Sequence, residues 1–354
     1  MTAFGEQFII SSENMSLRQS NIELLRIVSM SFIVIFHFLQ WGVGIENMNP
    51  YLYQALIVFN ICGVNLFVMI SGYFGIKWSI LSFIRLAGMI MFFSVFCLIC
   101  GIYLFDMNIS LIRVIKSIVL PFTSTGYWFL QCYLGLYLIA PILTKGLASM
   151  TTNRLKQLII IMTLVTVLSC WYADSKLNAD GFGIFHFIYL YIVGYGLRHI
   201  ILPELSSTKW FVISILSLIA DIMVAYGFDF YYNDYLNKYS IGAAKAYDNP
   251  FVICASIAMF MMFVKLKIGS IKFINLVASC SLGCYLLQDG FLRNPIYEYQ
   301  KMFIVEHSNI LTIIMFIISF FTFWLLAFIL HRIYLGLFCI LKDRVSYFAA
   351  KYSF

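Results

Sequence analysis

Arg26 and His37 sit eleven residues apart in NIELLRIVSMSFIVIFHF (21–38), a stretch otherwise dominated by Ile, Leu, Val, Phe and Met. On an α-helix that separation is about 16 Å of rise and about 20° of net rotation past three turns, so both side chains share one face. A guanidinium grips phosphate through its fork of donors, and an imidazole takes or gives a proton near neutral pH. Both are costly in a bilayer, and a polar stripe there belongs against a protein interior or a watery cavity rather than lipid. Glu23, three residues before Arg26, is close enough to pair with it. The stripe therefore offers an anion-receiving end and a proton-transferring end.

Other polar groups interrupt apolar runs further along. NICGVNLFVMISGYFGIKW carries Asn65 and Ser71, with Gly63 and Gly72 allowing close helix approach. Lys77 and Arg85 flank the start of the third run, at the edge where anionic groups would be received. Trp128 lies in YWFLQCYLGLYLIAPIL, His186 in IFHFIYLYIVGYGLRH and Asp221 in mid-run, while SLGCYLLQDG holds Tyr285, Gln288 and Asp289.

The elements that must hold these groups are membrane helices. The 354 residues are 62% hydrophobic and 11% charged, against about 25% charged in a soluble domain. The chain reads as an all-α polytopic bundle of about ten spans, near 22–41, 51–73, 80–105, 127–147, 155–172, 184–202, 210–229, 250–268, 273–292 and 309–340. The last run is long enough to continue past the bilayer. An arrangement with both termini in the cytosol puts more than two thirds of the 23 Lys and Arg residues inside, which fixes the expected orientation. The net charge of +7 is thus a topology signal and not a sign of nucleic acid. Residues 1–20 read as a cytoplasmic tail, with Met15 a candidate start, 21–341 as one transmembrane domain and 342–354 as a second cytoplasmic tail.

All nine cysteines fall in apolar runs, so they are expected as small filler, with no disulfide and no metal site. NISLIRVIKSIVLPFTSTG (108–126) has apolar residues at helical spacing around Arg113 and Lys116, and reads as a short amphipathic helix at the outer interface. The outer loop 231–249, rich in Tyr, Asn and Asp, suits either interfacial anchoring or carbohydrate contact.

Four of these stretches, in order, resemble membrane-bound acyltransferase family 3, which includes O-acetyltransferases of bacterial surface polysaccharides. They are the Arg–His first span, the GVNLFVMISG second span, the Trp128 span and SLGCYLLQD. The resemblance covers essentially the whole chain. It implies a multi-pass inner (plasma) membrane enzyme that moves an acetyl group from cytosolic acetyl-CoA to a surface polysaccharide or lipid-linked oligosaccharide. By that resemblance, His37 is the catalytic base or a transient acyl carrier, with Ser71 and Asn65 assisting. Arg26, Arg85 and Lys77 would hold the donor, and Trp128, Tyr285 and Gln288 would meet substrate. Three positions depart from the family pattern. Asn65 stands for an Asp, Gly88 for the second Arg of an Arg-x-x-Arg, and Gln288 for a late His. A glycolipid transporter or a relative without the chemistry are the readings from other classes; the sequence shows no internal repeat of the kind common in transporters.

Overall fold

The computed structural model describes residues 19–122, 126–170, 179–200, 204–231 and 245–351. The expected tail over most of 1–20 and most of the outer loop at 231–249 lie outside the described residues. Every regular element is a helix: α1 (Ser20–His37), α2 (Pro50–Asn60), α3 (Cys62–Phe74), α4 (Ile80–Phe105), α5 (Leu111–Val119), α6 (Trp128–Ala148) and α7 (Thr152–Cys170). Then follow α8 (Ile184–His199), α9 (Ser207–Tyr231), α10 (Pro250–Val264), α11 (Lys272–Ala278), α12 (Ser281–Gln288), α13 (Arg293–Glu306) and α14 (Asn309–Lys351). Seven stretches among the described residues are long and apolar enough to cross a membrane. The three remaining expected spans correspond to α8, α10 and the α11–α12 pair, which are shorter.

Caps and breaks follow local chemistry. Asn49 and Asn249 each precede a proline at a helix start, and each side chain accepts two backbone N–H groups. The proline's missing donor is no loss there. The expected span at 51–73 divides into α2 and α3 at Ile61, where the Asn60 side chain donates to the Leu56 carbonyl at 2.7 Å. The run at 273–292 departs furthest from a single helix. Ser279 and Ser281 donate to the carbonyls of Leu276 and Ala278 at 2.6 and 2.9 Å, competing with the backbone ladder and ending α11. Such a broken helix is tolerated at membrane depth only when protein covers it, and α12 is buried at every residue.

At the centre lies α3, whose spanning segment with α2 is 83% buried. It packs against α1, α8 and α10. Gly63 lies where a Cβ would come within 2.7 Å of the Ser29 carbonyl oxygen. Gly72 and Gly194 interlock α3 with α8, so that a Cβ on Gly72 would overlap the Tyr191 backbone and one on Gly194 the Met69 carbonyl. Backbones this close raise the dispersion contact that drives helix association in lipid. The segment 108–126 does form a short helix, α5, with Leu111, Ile112 and Ile115 exposed and Arg113 lying 5.3 Å over the Phe291 ring. Helix α14 runs unbroken for 43 residues and passes straight through position 341. At 1.5 Å per residue this is about 65 Å, well beyond a bilayer core of about 30 Å.

Candidate active site

His37 is the last residue of α1, and directly after it the chain widens into a π-helical turn, Phe38–Val43, closed by Gly44 at φ +71°. Single π turns recur at functional sites because they re-aim the residues around them. Helix α13 lies over this turn. Gly42 makes room for it, since a Cβ there would sit 3.0 Å from Gln300 Oε1 and 3.5 Å from the Tyr297 ring. Lys301 of α13 donates to the Glu46 carboxylate just beyond the turn, and this bond holds the Glu46 pKa below the usual carboxylate value.

Below the turn, Met30, Ile33 and His37 form a 3–4-spaced stripe along one wall of a cavity of about 350 Å³, mouth included. Val64 and Phe67 of α3, Trp128 and Phe129 of α6, and Leu282 and Tyr285 of α12 close the other walls, with Tyr247 at the entry to α10. The interior is narrow, with room for about one water. The wall is mostly apolar with few polar groups, the usual character of a small-ligand site. His37 is 8% exposed, and its Nδ1 has no hydrogen-bond partner among the described residues. The Tyr285 ring lies 6.5 Å from it, and the Tyr285 hydroxyl is likewise without a hydrogen-bond partner. Trp128 is half-buried, stacked on Tyr247 at 5.7 Å with the rings 28° apart.

The other sequence-derived candidates fall into separate places. Arg26 lies on the same stripe as His37, one turn before Met30, 5% exposed and bonded to Glu23 at 2.5 Å. Tyr133, within its electrostatic reach, shares a 3.4 Å hydrogen bond with Ser71. Ser71 thus belongs to the Arg26 end of the stripe rather than the cavity wall. Lys77 is exposed in the turn before α4. Arg85 is buried in α4 against α14, its guanidinium 5.7 Å from the Phe338 ring. Gln288 is fully buried and accepts from the Tyr297 hydroxyl at 3.4 Å.

Asn65 sits behind the cavity. Its Nδ2 donates to the Tyr247 carbonyl at 2.8 Å, which leaves Oδ1 to accept from His186 Nε2 at 3.0 Å. This bonding assigns the proton on His186 to Nε2. Asn65 and His186 together therefore fix the backbone that presents Tyr247 to the cavity. Tyr127 and Tyr247 were not singled out from the sequence, and Asp289 was noted in SLGCYLLQDG without a site role. Tyr127 is fully buried and donates to the Leu286 carbonyl at 2.9 Å. Asp289 is 2% exposed and pairs with Arg293 at 3.4 Å. The signal for Asp289 was its position four residues after Tyr285, one helical turn along the same face.

A family model described as an acyltransferase domain matches residues 19–343. The chain belongs to acyltransferase family 3. Neither the curated proteins nor the solved structures compared with it gave a match. It is thus a multi-pass membrane protein of an acyltransferase family, built entirely of helices in its regular elements.

The three departures from the pattern of acyltransferase family 3 have local physical accounts. An Asp at position 65 could not donate to the Tyr247 carbonyl unless protonated, whereas Asn65 does so directly. At Gly88 a Cβ would lie 2.9 Å from the Tyr334 hydroxyl, which donates to the Arg85 carbonyl at 2.6 Å. Tyr334 fills the space a second arginine would need. Gln288 lies under Tyr297 and outside the cavity lining, held by a hydrogen bond that needs no titratable group.

Proposed function

We propose that this family member is an O-acyltransferase of the plasma membrane, moving an acetyl group from cytosolic acetyl-CoA to a hydroxyl of a surface polysaccharide or lipid-linked oligosaccharide. The observation that carries the reading is His37, a buried imidazole with an open Nδ1, lining a cavity among α1, α3, α6 and α12. A neutral alcohol attacks a thioester poorly until a base takes its proton, and His37 is the cavity's titratable group suited to that near neutral pH. In the reaction, the acceptor oxygen bonds the thioester carbonyl carbon as its proton passes to the imidazole. The carbon–sulfur bond then breaks, and the imidazolium returns the proton to the departing thiolate.

The donor enters from the Arg26 end. Arg26, with Arg85 and Lys77 nearer the helix ends, supplies cations for the phosphates of CoA. The rise of about 16 Å from Arg26 to His37 matches an extended thioester arm. Trp128 and Tyr247 supply aromatic faces against which a sugar ring packs at the mouth. Tyr285 donates its hydroxyl to the carbonyl oxygen as charge builds there.

The test is transfer of labelled acetyl groups from acetyl-CoA to a glycolipid fraction by the purified protein in nanodiscs. Transfer that His37→Ala abolishes supports the reading. Transport of the glycolipid with no acetyl transfer, unaffected by His37→Ala, would replace it with a transporter.

A further inference from the structure

A buried imidazole that takes a proton becomes a buried cation, which is unstable in a dry site without an opposite charge nearby. Asp289 and Arg293 flank His37: the Tyr285 ring, 6.5 Å from the imidazole, lies four residues before Asp289, and the Arg293 guanidinium sits over Trp41, four residues after His37. They are not equivalent. Arg293 is 37% exposed, so water screens it, and its guanidinium lies 5.3 Å over the Trp41 ring. Asp289 is 2% exposed, so its field acts through protein of low dielectric.

The turn that carries Asp289 is pinned. Its N–H donates to the Tyr285 carbonyl at 3.2 Å, ending α12, and the residue itself is extended. Gly290 follows at φ +69°, pressed so close to Tyr127 that a Cβ would come within 2.6 Å of that ring. Only glycine takes this backbone conformation without strain and also spares the Tyr127 ring. Tyr127 is anchored in turn to the Leu286 carbonyl. The carboxylate is thus fixed at one end of the cavity's α12 wall, within electrostatic reach of His37, Tyr127, Tyr247, Tyr285 and Tyr297. A carboxylate buried this way, paired at 3.4 Å with a part-exposed arginine, carries a desolvation cost that so long an ion pair offsets in part.

We propose that Asp289 is a positioning residue that acts through His37, supplying the fixed opposite charge for the imidazolium formed as the acceptor hydroxyl is deprotonated. The proposal rests on the reading of His37 as the base. Asp289 touches neither substrate; it holds the cation until the proton returns to the leaving thiolate.

The experiment compares Asp289→Asn, Asp289→Glu and Arg293→Gln in the full chain in nanodiscs, measuring kcat and both KM values for acetyl transfer. Loss of one opposite charge beside an imidazole is expected to lower kcat about tenfold or more in Asp289→Asn. Both KM values stay within about twofold, because substrate is not touched. Asp289→Glu recovers part of the rate, and Arg293→Gln stays within about threefold of wild type, its charge being screened. Equal kcat in Asp289→Asn and wild type overturns the proposal. So does an equal loss in Arg293→Gln, which would make the ion pair a structural clamp. A second readout needs no turnover: the rate at which diethyl pyrocarbonate modifies His37 at pH 8, followed by mass spectrometry. A slower rate in Asp289→Asn supports the proposal and an unchanged rate overturns it, including where turnover is too low to measure. Absence of acetyl transfer in the wild type instead brings down the acyltransferase reading, and is told apart by that control.

Discussion

The rings of His37 and Tyr285 approach to 6.5 Å across the cavity, and among the described residues neither His37 Nδ1 nor the Tyr285 hydroxyl has a partner at hydrogen-bonding distance and angle. Two buried polar groups left open beside one another are unusual, because each forgoes about 1–3 kcal/mol of hydration. An incoming substrate that bonds both recovers that loss only when bound.

Tyr285→Phe separates the two costs. Deleting the hydroxyl should leave thermal stability close to wild type, since among the described residues it makes no hydrogen bond of normal geometry. Turnover should fall about ten- to a hundredfold if the hydroxyl donates to developing charge, below the loss of about 10²–10³ seen for a full oxyanion donor. Thermal unfolding in detergent and acetyl transfer on the same preparation check both halves. A stability loss with full activity would assign Tyr285 to packing.

Asn65→Asp tests the support behind the cavity. The substitution removes the donor to the Tyr247 carbonyl and places a carboxylate against it. A buried carboxylate aimed at a carbonyl, with only His186 to bond, is expected to cost about 3 kcal/mol or more. The midpoint of thermal unfolding should drop, and Trp128, stacked on Tyr247, should report looser packing by fluorescence. An unshifted midpoint would mean that His186 becomes an imidazolium and pairs with the new charge.

The parts of this arrangement that could be read from the sequence are those coded locally. Apolar runs gave the helices, the amphipathic spacing of 111–119 gave α5, and Arg26 and His37 declared a shared stripe through their separation alone. What could not be read depends on distant segments meeting. Asn65 and His186 are 121 residues apart, and nothing in either local pattern names the other. The cavity gathers α1, α3, α6 and α12, so the nearness of Asp289 to His37 exists only in the packed bundle. The π turn after His37 was also silent in sequence, since Phe38–Val43 is as apolar as the helix it follows. The break at Ser279–Ser281 had a weak signal in its two serines, masked by the apolar run on both sides.

The Gly72–Gly194 contact should be intolerant of the smallest addition. Gly72→Ala sets a methyl group against the Tyr191 backbone, which cannot move without shifting α8. Overpacking of a rigid contact costs about 1–3 kcal/mol or more. Gly146→Ala, where a Cβ meets nothing within 4 Å, is the control. It should be neutral or stabilising, since alanine is the better helix former by about 1 kcal/mol. Yield of folded protein and its unfolding midpoint compare the two; equal behaviour would mean that α3 and α8 slide freely.

Arg26 demands a double substitution, because its pairing obscures its role. It is buried against Glu23 at 2.5 Å, and breaking a buried ion pair from one side costs about 3–5 kcal/mol. Arg26→Ala alone should therefore lose folded protein whether or not the guanidinium meets the donor. Glu23→Gln with Arg26→Gln removes both charges and should fold close to wild type, since a neutral pair of similar size avoids the desolvation penalty. If Arg26 grips phosphate, this double variant should show a KM for acetyl-CoA raised about tenfold, as a charge-assisted bond of about 1.5–3 kcal/mol implies. Its kcat at saturating donor should change little, because Arg26 is a helical rise of about 16 Å from the reacting imidazole. Transfer kinetics across a range of acetyl-CoA concentrations decide the matter. An unchanged KM in a folded double variant would confine Arg26 to tying α1 into the bundle and move donor binding to Arg85 and Lys77.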